Sequence, residues 1–165
     1  MRLAIAINTG TFIALPGASV SALNGQPQFR NLGKLVNNSR SATVTISNVQ
    51  LVNAVTGTIS LTSGVLSVNF SPQNGGPGFV EPNGATLKVA IGGTAPGTGF
   101  GQLQLSNTAV LAGNLFVTNV RGFTPPPGQK FKVITCGTAC SGTFQLQSGG
   151  YSVVYHPQDV TLKAQ

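Results

Sequence analysis

The chain has 165 residues, 41% of them hydrophobic and only 7% charged, so a self-sufficient core must be covered by Ser, Thr, Asn, Gln and 22 glycines in place of a charged shell. Nine Lys and Arg against two acids give a net charge of +7, yet Arg2, Arg30, Lys34, Arg40, Lys88, Arg121, Lys130, Lys132 and Lys163 form no run able to track phosphates, which argues against a nucleic-acid partner. With Glu81 and Asp159 as the only acids, neither a glycosidase-type carboxylate pair nor a calcium-binding row of Asp is expected.

The N-terminus starts with Leu3, Ile5 and Ile7 in alternation, followed by Thr11-Phe12-Ile13-Ala14-Leu15. As a secretion signal with Ser19-Val20-Ser21-Ala22 at its cleavage site the apolar run is too short, because Asn8-Thr9-Gly10-Thr11 interrupts it. Two terminal strands are predicted instead. Leu3, Ile5, Ile7, Phe12, Ile13 and Leu15 are the candidates for adding a strand to a neighbouring subunit. Residues 1–40 otherwise read as irregular strands, and residues 41–165 as a strand-repeat body within one all-β domain spanning 1–165.

Through that body apolar residues alternate with a period of two: Val44 and Ile46, Ile59 and Leu61, Leu66 and Val68, then Leu87, Val89 and Ile91. Leu103 and Leu105, Leu115 and Val117, Phe131 and Val133, Val153 and Tyr155, and Val160 and Leu162 continue the pattern. No stretch carries helical periodicity, and none approaches the ~18 apolar residues of a membrane span. Ser71 to Asn83 and Gly122 to Gln129 read as Pro/Gly loops, which makes Glu81 a solvated loop acid. Asp159 reads as a turn residue opening the last strand, after a turn at His156-Pro157.

A degenerate repeat runs through the middle: Gly57-Thr58-Ile59-Ser60-Leu61 is echoed by Gly84-Ala85-Thr86-Leu87-Lys88-Val89 and by Gly113-Asn114-Leu115-Phe116-Val117. Such a unit cannot bury its own apolar face, so copies must stack, which favours a parallel β-solenoid over an antiparallel β-sandwich or jelly roll. In Cys136-Gly137-Thr138-Ala139-Cys140 the small residues let the chain turn back far enough for a disulfide, a pair of buried thiols being the alternative. His156 and Asp159 supply two members of a triad, but no Gly-x-Ser-x-Gly elbow presents a nucleophile. Tyr151 and Tyr155 could stack on sugars, although aromatic residues of such a chain more commonly fill its core.

The stretch from Gly84 through Gly92-Gly93-Thr94 and Phe100-Gly101-Gln102-Leu103 resembles a module of bacterial surface proteins, the autotransporter passengers and β-strand-repeat proteins. The resemblance extends over about residues 57–164 through Leu105 to Leu115, Gly122-Phe123-Thr124-Pro125, Ser141-Gly142-Thr143-Phe144 and Asp159-Val160-Thr161-Leu162. It implies secretion, surface display and a parallel β-solenoid, and it brings no catalytic residue. Members usually carry an acid where Phe100-Gly101-Gln102 stands here. The expected function is that of a non-enzymatic, cofactor-free extracellular structural protein, self-assembling as a filament, surface layer or coat. An adhesive module for a glycan or cell surface is the alternative.

Overall fold

The computed structural model describes residues 4–23, 25–72 and 75–165, so Leu3 of the candidate docking set lies outside the described residues. The described chain is all-β and holds no helix. β1 (Ile5–Asn8), β2 (Thr11–Ala14) and β3 (Ser19–Ser21) form a first layer. β4 (Gln28–Asn31) lies parallel to β1, while β5 (Lys34–Ser47) pairs first with β2 and then, past a corner, with β3. At that corner Arg40 takes a left-handed φ of 58° and the Ser39 hydroxyl donates to the Ala42 carbonyl at 2.7 Å.

Each later circuit of the chain lays a strand on the one before. β6 (Gln50–Asn53) and the long β7 (Thr58–Asn69) form the third layer. β8 (Phe79–Glu81), β9 (Thr86–Ile91) and β10 (Gln102–Leu105) form the fourth, and β11 (Ala109–Leu111), β12 (Asn114–Asn119) and β13 (Lys130–Cys136) the fifth. β14 (Cys140–Gly142) and β15 (Gln145–Leu146) begin a sixth. The chain then reverses, and β16 (Tyr151–His156) and β17 (Asp159–Ala164) form a hairpin whose second strand pairs antiparallel with β13. The result is three rows of parallel strands. Row one, β1-β4-β6-β8-β11-β14, is a wholly parallel sheet; rows two and three are joined through β5 and β7 into a sheet made mixed by the hairpin.

In-register parallel pairing places like residues above one another, and this is where the period-two pattern is spent. In row two Phe12, Leu35, Ile59, Leu87, Leu115 and Leu146 succeed one another, so the three Gly-initiated repeats stack directly. Row three contributes Val20, Ile46, Val68, Leu105 and Cys136, and row one Phe29, Leu51, Phe79 and Ala109. Full burial of a side chain of the Leu, Ile or Phe class stabilises by about 1.5–3 kcal/mol, and the interior rows supply most of this core. The repeat glycine also has a steric cause: a Cβ on Gly57 would collide with the Asn31 carbonyl and with the Asn53 side-chain oxygen.

Two expectations are corrected. Residues 5–21, read as irregular, make the same in-register parallel pairs as the later layers, with Gly17 at a left-handed φ of 76° in the turn between β2 and β3. The Ser71–Asn83 loop contains β8, and Glu81 at its end is fully buried instead of solvated. Tyr151 takes the core place expected of most aromatic residues here: its ring meets Phe131 edge-on at 6.2 Å, and Phe131 also receives Phe100 and Phe123.

One interior position breaks the apolar pattern. Asn37 stands between Ala14 and Leu61 in a row continued by Val89 and Val117, fully buried, and neither atom of its amide has a hydrogen-bond partner. Burying an unpaired amide costs about 1–3 kcal/mol, whereas an apolar group of similar shape carries no such penalty. Asn37→Leu is therefore expected to stabilise the fold by about 1–2 kcal/mol, read as a higher urea midpoint at unchanged slope; a lower midpoint would contradict the apolar character of this row.

Candidate functional site

The first layer is apolar on both sides of its strands. Ile5 and Ile7 stand opposite Gln28 and Arg30 on the outer face of row one, and Ile13 opposite Val36 on row two. Ile5, Ile7 and Ile13 are exposed by 50–59%, and Leu15 by 61%. Phe12 points into the core, where it meets the Phe29 ring edge-on at 5.8 Å, yet it is still 36% exposed because no layer covers it. Among the described residues β1, β2 and β3 each pair on one side only. Their outer edges present unpaired N–H and C=O groups, the usual template for another strand. Beside them a cavity of about 260 Å³ opens between rows one and three, lined by Ala6, Val20, Ala22, Pro27, Phe29 and Val49. The structure thus gathers Ile5, Ile7, Phe12, Ile13 and Leu15 into one end of the molecule.

A polar file runs inward from the same end. Asn8 Nδ2 donates to Asn31 Oδ1 at 2.7 Å, Asn31 Nδ2 to Asn53 Oδ1 at 2.8 Å, and Asn53 Nδ2 to Glu81 Oε2 at 2.9 Å. Each amide also donates to a backbone carbonyl of the following corner: Lys34, Thr58 and Thr86. A carbonyl can only accept, so the direction of the file is fixed. Leu111 occupies the next position in the register and ends it. Asn8, Asn31 and Asn53 were not singled out from the sequence, although Asn8-Thr9-Gly10 and Asn31-Leu32-Gly33 recur 23 residues apart, the spacing of one layer.

Glu81 closes the file with Oε2 bonded and Oε1 without a partner. Burial pushes its carboxyl up to about 8, against the opposing pull of the Asn53 hydrogen bond. Asp159 has the reverse fate. Burial alone would raise it, but His156 Nδ1 at 2.7 Å, the Thr161 hydroxyl at 2.8 Å and Lys132 Nζ at 3.1 Å together hold it below the usual carboxylate range. The structure therefore unites His156 with Asp159 across the hairpin turn, with Lys132 and Thr161 also engaging the carboxylate.

The far end is closed off differently. Cys136 and Cys140 form a disulfide, with Cα atoms 5.6 Å apart. The turn of the β16–β17 hairpin folds over it, Pro157 and Gln158 accepting the backbone N–H of Cys140 and Cys136. The Tyr155 hydroxyl accepts the N–H of Phe144. Among the described residues no three His, Cys, Asp or Glu side chains converge as metal ligands, and no helix is long and apolar enough to cross a membrane. Compared with known protein families, curated proteins and solved structures, the chain matches none.

The two acids give opposite pH dependences. A carboxyl raised in the folded state holds its proton while the unfolded chain has lost it, so Glu81's contribution is complete below about pH 4.5 and is lost as pH rises to about 8. The full span is on the order of 5 kcal/mol. Asp159, depressed in the folded state, stabilises above its ordinary value of 3.8 and loses this as pH falls. Stability should therefore peak near about pH 4–5. Urea midpoints are expected to fall between pH 5 and pH 8, and Glu81→Gln to remove most of that fall; equal slopes in both proteins would show that Glu81 is not the cause.

Proposed function

We propose that the chain is a non-catalytic extracellular structural module, a parallel β-solenoid that associates with other copies through its open first layer. The observation that carries this reading is the pairing of an unpartnered strand edge with the exposed apolar residues Ile5, Ile7, Phe12, Ile13 and Leu15 at one end. A stack of in-register layers satisfies its backbone everywhere except at its two ends, so association through an end requires no other change in the molecule. Extracellular location is supported by the Cys136–Cys140 disulfide, since such bonds persist mainly in oxidising compartments. Immunogold microscopy of the source cells is expected to place the protein at the surface or outside; strictly cytoplasmic label would remove this reading.

A second reading, glycan adhesion, is favoured by a different feature. On the outer face of row two Lys88 Nζ lies 5.6 Å from the Phe116 ring centre, and Lys88 shares a shallow groove of about 150 Å³ with Ser60, Thr62 and Thr118. An aromatic ring 38% exposed, capped by an ammonium and next to a hydroxyl-lined groove, offers the mixed apolar and polar contacts that a sugar uses. On this reading the protein is retained on some members of a glycan array and Phe116→Ala reduces retention at least tenfold; an array blank for both proteins would dispose of adhesion while leaving the structural reading intact.

A further inference from the structure

We infer that the partner of the open first layer is the same layer of a second copy, so that two chains join end to end, N-terminal layer against N-terminal layer, about a two-fold axis. The inference rests on the self-association reading above and selects a closed pair over an open filament.

The two ends differ in the way this requires. At the N-terminal end β1, β2 and β3 each pair on one side only among the described residues, and Ile5, Ile7, Phe12, Ile13, Leu15 and Leu23 are exposed. The C-terminal end departs from the repeat. β14 is three residues long and β15 two, row three ends on the antiparallel β16, and no exposed large apolar side chain falls beyond Phe116. Short edge strands are one means by which sheets resist further pairing. A head-to-tail contact would set the apolar side chains of the first layer against an end that exposes no large apolar side chain.

Charge points the same way. Between Arg2 and Arg30 the sequence has no charged residue, although the whole chain carries +7. The C-terminal end holds Lys130, Lys132 and Lys163, with Lys130 directly opposite Lys163. Two copies of one protein repel through their net charge, and a first layer whose described strands hold no charged side chain brings none into direct contact, Arg30 and Lys34 lying one layer back. Strands related by a two-fold axis normal to the sheet run antiparallel, and such ladders form without the crossover geometry that parallel strands need. Ile5 and Ile7 then pair across the axis with apolar side chains of the mate, and the cavity beside Ala6, Val20 and Phe29 is shut from water. An isologous contact uses the same patch on both partners, so it closes on itself and leaves only the two C-terminal ends outside.

Sedimentation equilibrium of the full chain over a hundredfold concentration range tests this directly. The weight-average mass is expected to rise to twice 16.8 kDa and stop there. Ile7→Lys with Ile13→Lys places four ammonium groups around the axis and should raise the dissociation constant at least a hundredfold, while Gln145→Lys at the opposite end should leave it unchanged. Far-UV circular dichroism checks that each variant keeps its strands, and if the double variant fails to fold the wild-type stoichiometry and Gln145→Lys still decide. Mass that climbs past two copies, or dissociation caused by Gln145→Lys, overturns the head-to-head pair while leaving self-association standing. A monomer throughout the range overturns both.

Discussion

Every β-strand carries hydrogen-bonding groups along both edges, and in this molecule each layer meets that demand by lying in register on the layer before it. The rest of the structure depends on this stacking. Because neighbours are parallel and unshifted over most of their length, a side chain sits above one of the same orientation in the next layer, so a single choice of inward positions propagates through the molecule. The shift between Asn37 and Thr43, where β5 crosses β7, is confined to a corner, and register is regained on the far side.

The same stacking makes buried polar residues bearable when they come in files and costly when they come alone. Asn8, Asn31 and Asn53 bond to one another and to corner carbonyls, so each amide that leaves water finds partners. Such a file also opposes slippage, since a shift of one residue would turn every amide to the outer face. Asn37 has no amide above or below it and no partner. Glu81 lies between, bonded on one oxygen only, and burial keeps it protonated well above the usual carboxylate range.

Ends are where a stack must differ from its middle. The C-terminal end departs from the repeat through the disulfide, the shortened β14 and β15 and the antiparallel hairpin. The N-terminal end keeps the repeat to its last strand, leaving Phe12 as a core residue with one side uncovered. The asymmetry gives the molecule a polarity that neither the composition nor the repeat spacing carries.

The sequence by itself determined the local choices: an all-β chain, read from period-two alternation and missing helical periodicity, the likeness of the Gly57, Gly84 and Gly113 units to one another, and the proximity of Cys136 and Cys140. These follow from steric and hydrophobic preferences acting over a few residues. Only the tertiary structure decided the outcomes that depend on residues 22–30 positions apart in the chain. Glu81, flanked by Pro82 and Asn83, has every local mark of a solvated loop residue, and its burial follows from the layers on either side. The asparagines look like turn residues until stacking sets them in line. Ile5 and Ile7 look like any strand, and it is their place on the outer face of an edge strand that makes them a surface.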